Sequence, residues 1–128
     1  MAKRAALSDE VRAALRPWYS EEVMGAVPVL RGSFFGWLFG LNGNYAVTIN
    51  GTVHVTKRAA VEGSMNWTVL MGHELFHVEQ QAAMGWWRFL ARYLWHYRPR
   101  HLRSARSHPY EIPAYARGAE IRARLGEG

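Results

Sequence analysis

The sequence predicts an α+β domain, and three observations predict it. Two β-rich runs, residues 45–49 and 52–56, are joined by Asn50-Gly51, the dipeptide of a type I′ hairpin because both turn positions need positive φ. Ser64, a good N-cap, and Gly85, a good C′ residue, bracket a span free of proline, which reads as one long helix. Beyond Gly85, two further stretches carry apolar residues at helical spacing. The expected architecture is a small hairpin or sheet packed on the long helix, with two or three more helices around it.

A chain of 128 residues is one domain by length, enough to bury about two-thirds of its unfolded surface. At 49% hydrophobic and 13% aromatic it is too apolar to be disordered. The core is expected over about 27–125, with 1–20 as an N-terminal helix. Cysteine is absent, which excludes a disulfide framework, a thiolate metal site and a cysteine nucleophile. Any metal site must therefore use histidine and carboxylate. The N-terminus lacks the apolar segment of a secretory signal, and the most apolar run, 33–41, falls far short of the ~20 residues that cross a bilayer. A cytoplasmic protein without a transmembrane segment is the expectation, compatible with export by a dedicated machine.

Taken in order, Ser8 caps a first helix over 9–16 that Pro17 stops. A second helical turn fits 18–25. Residues 27–30 read as a brief strand, placed at a sheet edge by Pro28. In the glycine-spaced aromatic run 32–43, Phe34, Phe35, Trp37 and Phe39 are expected largely in the core; the alternative is a loop that touches a membrane or partner. The hairpin follows, and its edge beside the next helix suits an extended peptide bound by backbone hydrogen bonds. His54 in this hairpin reads as a surface or supporting residue.

The helix from Ser64 to Gly85 carries His73-Glu74-Leu75-Phe76-His77. Residues four apart share a helix face, so both imidazoles point the same way about one turn apart, as a zinc ion requires. Glu74, rotated about 100°, is placed to act on a bound water as general base. Met71, Leu75, Val78 and Ala82 form a stripe that packs inward, and His73 and His77 lie on another with Asn66, Leu70 and Gln81.

Residues 86–97 form an amphipathic helix with Trp86, Phe89, Leu90, Tyr93, Leu94 and Tyr97 on its packed face and Arg88 and Arg92 on the wet one. Trp95 falls among the arginines, either as part of a partner surface or covered by the basic connection 98–108. From Arg88 to the C-terminus nine Arg face three Glu, within a net charge of +6. The stretch from Arg88 to Arg106 is thus a candidate contact for an anionic surface or acidic protein, against the alternative of a solvated face; no nucleic-acid-reading motif accompanies it.

The last helix opens near Pro109 and runs to about Leu125. A third metal ligand, if one exists, comes from it. Glu111 shares a face with Tyr115, Gly118 and Arg122, whereas Glu120 lies opposite with Arg117 and Arg124, where ion pairing explains it. Glu111 is the candidate, and Gly118 would let this helix approach the long one closely.

These residues resemble a gluzincin metallopeptidase: His73 and His77 as zinc ligands, Glu74 as base and Glu111 as the later glutamate. More narrowly, a hairpin, then HELFHVEQQ, then PYEIPAY resembles small bacterial zincin-like domains carrying HELxHVxQQ, some found beside contractile injection systems. The similarity covers about 45–119. It implies a minimal zincin fold and a zinc cofactor. The usual third-ligand segment, Asn-Glu-x-x-Ser-Asp, differs here, since Glu111 is followed by Ile112-Pro113-Ala114-Tyr115.

The expected activity is hydrolysis of peptide or protein substrates, with Glu74 taking a proton from the metal-activated water and passing it to the leaving amine. Tyr115, one turn beyond Glu111, is the candidate donor to the developing oxyanion, followed by Tyr110 and His108. The rival expectation is a zinc-stabilised binding module, weak or inactive as an enzyme.

Overall fold

The computed structural model describes residues 3–5, 7–41, 43–98, 101 and 107–126. The chain is α+β. In order it forms β1 (Lys3–Ala5), α1 (Asp9–Leu15), α2 (Glu21–Ala26), β2 (Val29–Arg31), α3 (Phe34–Leu41), β3 (Ala46–Ile49), β4 (Thr52–Val55), α4 (Met65–Met84), α5 (Trp86–Trp95) and α6 (Glu111–Gly126). The four strands make one sheet in the order β1-β2-β4-β3, antiparallel except for the parallel pair β2–β4.

Local chemistry sets several boundaries. The hydroxyls of Ser8, Ser20 and Ser64 accept from the backbone N–H groups of Val11, Val23 and Trp67, capping α1, α2 and α4. Asn50 and Gly51 take φ of 49° and 77°, the positive values that the two-residue turn between β3 and β4 requires. α4 ends at Gly85, also at positive φ.

Two expectations are corrected in the first half. β2 is an interior strand, not an edge: Pro28 precedes it, so no ladder donor is lost, and its carbonyl accepts from the Val53 N–H. The edge partner it acquires, β1, had no local signal. The aromatic run is neither core nor loop. It is α3, and its small residues are the ones that face the sheet: a Cβ on Gly36 would stand 2.7 Å from the Val55 carbonyl oxygen, and one on Gly40 would stand 3.2 Å from Thr56 Cβ. Phe34 and Trp37 are consequently turned outward, 64% and 57% exposed, while Phe39 is half-buried.

The core lies between the sheet, α1, α2, α4 and α6. Val29, Val53 and Val55 from the sheet meet Trp67, Met71 and Leu75 of α4, Ile121 of α6, and Leu7, Val11, Leu15, Tyr19 and Met24 from the N-terminal segment. The core thus begins well before residue 27. On α4 the inward stripe holds at Met71 and Leu75, is half-buried at Val78 and is exposed at Ala82. The close approach of α4 to α6 occurs at Gly72, where Ile121 and Leu15 fill the space a Cβ would need, rather than at Gly118, whose nearest neighbour sits at ordinary contact distance. The buried Tyr19 hydroxyl donates to the Gly72 carbonyl at 2.6 Å. Glu120 accepts from the Trp18 indole and has no ion pair with an arginine among the described residues, and Arg117 lies over Tyr19 and Phe76.

Gln81 ties α4 to the hairpin by donating to the Thr48 carbonyl and accepting from the Gly51 N–H. On α5, Phe89 is buried, but Leu94, expected on the packed face, is 61% exposed. Trp95 is exposed, as are Arg88 and Arg92. Most of the basic connection 98–108, including Pro99 and Arg106, lies outside the described residues. No helix among the described residues is long and apolar enough to cross a membrane.

Candidate metal centre

α4 carries His73 and His77 one turn apart, with ring centroids 5.0 Å from each other. α6 begins at Glu111 and brings its carboxylate between them. Glu111 Oε1 stands 3.2 Å from His73 Nε2 and 2.7 Å from His77 Nε2. One ligand atom from each residue lies within 4.8 Å of the other two, so the group is able to hold a metal ion.

Two imidazoles and a carboxylate are a donor set that divalent transition metals, zinc among them, accept. Zinc–nitrogen and zinc–oxygen bonds of about 2.0–2.1 Å place tetrahedral neighbours about 3.3 Å apart. The His73–Glu111 separation already matches that spacing, and His77–Glu111 would widen by about 0.6 Å. Two imidazoles and one carboxylate leave a fourth tetrahedral position without a protein ligand from this group.

Two of the three donors, His77 and Glu111, are held by a further partner. The amide of Gln80 donates to the Tyr110 carbonyl, which turns its oxygen toward His77 Nδ1 at 2.7 Å. That bond keeps one His77 proton on Nδ1, so Nε2, once its own proton has left, is the nitrogen offered to a metal. The Tyr93 hydroxyl donates to Glu111 Oε2 at 3.2 Å, leaving Oε1 to face the imidazoles. Tyr93 is itself fixed by His108, whose ring stacks on it at 3.9 Å and whose Nε2–H donates to the Tyr93 carbonyl. Glu74, next along α4, is buried, and its Oε2 accepts from the Thr48 hydroxyl at 2.6 Å.

Electrostatics follow from these contacts. Burial works against the charged form of His77, but the hydrogen bond and charge of Glu111, the charge of Glu74 and the Gln80 bond outweigh it and push its pKa up to about 9. Burial likewise opposes ionisation of Glu111, yet hydrogen bonds from His73 and His77 hold its carboxyl far below the usual carboxylate range. The Tyr93 hydroxyl is pushed upward by burial and then by Glu111, so it stays a donor.

The centre opens on a groove with two halves, which meet at Glu74, Glu111 and Tyr115. One half, of about 730 Å³, runs toward α5; the other, of about 760 Å³, runs between α4 and α6. Tyr115 sits edge-on to the His73 ring at 4.5 Å and is 38% exposed. The two other residues considered as donors serve differently. His108 is fully buried with both ring nitrogens engaged, and Tyr110 packs on Phe89. His54 is not at the surface: it is buried against Phe35 with Nδ1 2.7 Å from the Ser33 hydroxyl.

Three contributors escaped the sequence reading. Gln80 had a usable signal, since it lies three residues after His77 on the same side of a helix. Thr48 and Tyr93 had none, because their roles depend on strand register and on how α5 docks beside α6.

The family model of the eCIS core domain, an extracellular contractile injection system core, matches residues 6–85. The matched span holds His73, Glu74 and His77 and stops before Glu111. No curated protein and no solved structure matches the chain.

Proposed function

The chain belongs to the eCIS core domain family, and we propose that it acts as a zinc-dependent metallopeptidase of gluzincin type. The observation that carries this reading is the convergence of His73, His77 and Glu111 at an open groove beside the buried carboxylate of Glu74. His73 Nε2, His77 Nε2 and Glu111 Oε1 would hold the zinc, which supplies a Lewis acid for water and for the substrate carbonyl.

The chain's own groups do the rest. Glu74 accepts the proton of the attacking water at its carboxylate and hands it to the leaving amine. Thr48 fixes the carboxylate through Oε2, leaving Oε1 for that exchange. Gln80 and Tyr93 keep the ligand atoms aimed at one point. Tyr115, whose ring borders His73 at the groove, is assigned as donor to the carbonyl oxygen as it gains charge. β3, at the edge of the sheet and along the groove, offers its backbone to an extended peptide.

Glu74→Gln tests the reading. Cleavage of a peptide library by the wild-type protein should disappear in the variant while zinc content stays the same. Equal cleavage by both proteins would remove Glu74 from the chemistry.

A further inference from the structure

The two halves of the groove are chemically unlike. The half toward α5 is walled by aromatic rings, among them Phe89, Tyr93 and Tyr97. The other half is lined by two arginines, Arg58 from the turn after β4 and Arg122 on α6.

Among the described residues neither arginine has an ion-pair partner. Arg58 Nε donates to the Gly40 carbonyl, which anchors the side chain but leaves its charge uncompensated. Arg122 donates to the Asn66 amide oxygen at 2.7 Å and approaches the Met65 sulfur, both neutral partners. Among the described residues the ion pairs of arginine involve Arg12, Arg16 and Arg31 and none of the groove cations. The two carboxylates at the head of the groove, Glu74 and Glu111, are held by Thr48, Tyr93 and the imidazoles. Val69 and Leu70 of α4 add aliphatic surface to the same half, and its rings, Tyr45, His73 and Tyr115, belong to the end near the metal ligands or to the segment before β3.

We propose that this half of the groove is a subsite for a substrate carboxylate, in which an Asp or Glu side chain of an extended peptide lies between Arg58 and Arg122. Its place along the peptide follows from the helix. Glu111 and Arg122 are eleven residues apart on α6, about 16 Å along the axis at 1.5 Å per residue. An extended chain advances about 3.3 Å per residue, so the acid falls about five residues from the reacting bond. That location rests on the peptidase reading; the affinity for the acid does not.

The test uses zinc-loaded Glu74→Gln protein and two decapeptide libraries that differ only in a fixed Glu or a fixed Gln, with binding read by fluorescence anisotropy. The Glu library should bind about three- to tenfold more tightly at low salt, the range for two exposed charge pairs, with the gap shrinking at high salt. Adding Arg58→Gln and Arg122→Gln should close the gap. Adding Arg88→Gln and Arg92→Gln, which removes the same charge from exposed positions on α5, should leave it open. Equal affinity for the two libraries, or a gap closed as fully by the α5 pair, would overturn the subsite. Wild-type cleavage indifferent to the acid would sink the subsite and leave the peptidase reading standing. Acid-dependent binding without any cleavage by the wild-type protein would do the reverse.

Discussion

Zinc affinity should climb steeply with pH between 7 and 9, because in the metal-free chain a proton occupies the ligand His77. Burial disfavours that charge, but Glu111 at 2.7 Å, Glu74 and Gln80 hold it on, with a pKa of about 9. Zinc must displace this proton. The apparent affinity is therefore reduced by about 100-fold at pH 7 and about twofold at pH 9, a rise of about 50-fold across the interval. Competition against a chromophoric chelator, corrected for the chelator's own protonation, measures the rise. Calorimetry in two buffers of different ionisation enthalpy should count close to one proton released per zinc at pH 7. An affinity flat from pH 7 to 9, with no proton released, would refute the claim that Glu111 holds His77 charged.

The same pair sets the stability of the metal-free protein. A raised histidine contributes fully below its ordinary pKa and loses that contribution as pH rises through about 9, whereas a depressed carboxyl contributes above its ordinary pKa and loses it on acidification. Thermal melts of the apo protein should peak near pH 5–6.5, between the ordinary carboxyl and histidine values, and decline on the alkaline side; a melting temperature that rises from pH 7 to 9 would contradict this. Tyr93→Phe keeps the stack on His108 but removes the hydroxyl from Glu111, and should weaken zinc binding by roughly 10-fold with little change in the far-UV spectrum. Thr48→Val leaves the buried Glu74 carboxylate without its hydroxyl donor and should cost about 1–3 kcal/mol in denaturant unfolding; an unchanged midpoint would show that the bond contributes nothing net. Gly36→Val drives a branched side chain toward the Val55 carbonyl and should destabilise by about 1–3 kcal/mol, where an unaltered melt would mean α3 is not seated on the sheet as described.

Features governed by local chemistry were legible in the sequence. Asn50-Gly51 specified its turn, Ser64 and Gly85 delimited α4, and the spacing of His73 and His77 placed both rings on one face. Helix rotation, together with the resemblance, favoured Glu111 over Glu120, and the structure brings Glu111 to the imidazoles while Glu120 meets Trp18. What escaped depends on contacts distant in sequence. The three residues of β1 become a strand by pairing with β2. α3 misled because burial was judged from side-chain size, whereas the sheet accepts the helix through Gly36 and Gly40. Pro28 misled because a proline just before a strand removes no ladder bond.

The most direct test is elemental analysis of protein purified without a metal-affinity tag, comparing the wild-type chain with His77→Ala and Glu111→Ala. One zinc per wild-type chain, lost in both variants, is the predicted result. A wild-type chain that takes up no zinc after dialysis against it, or variants that keep the metal in full, would contradict a centre built from His73, His77 and Glu111.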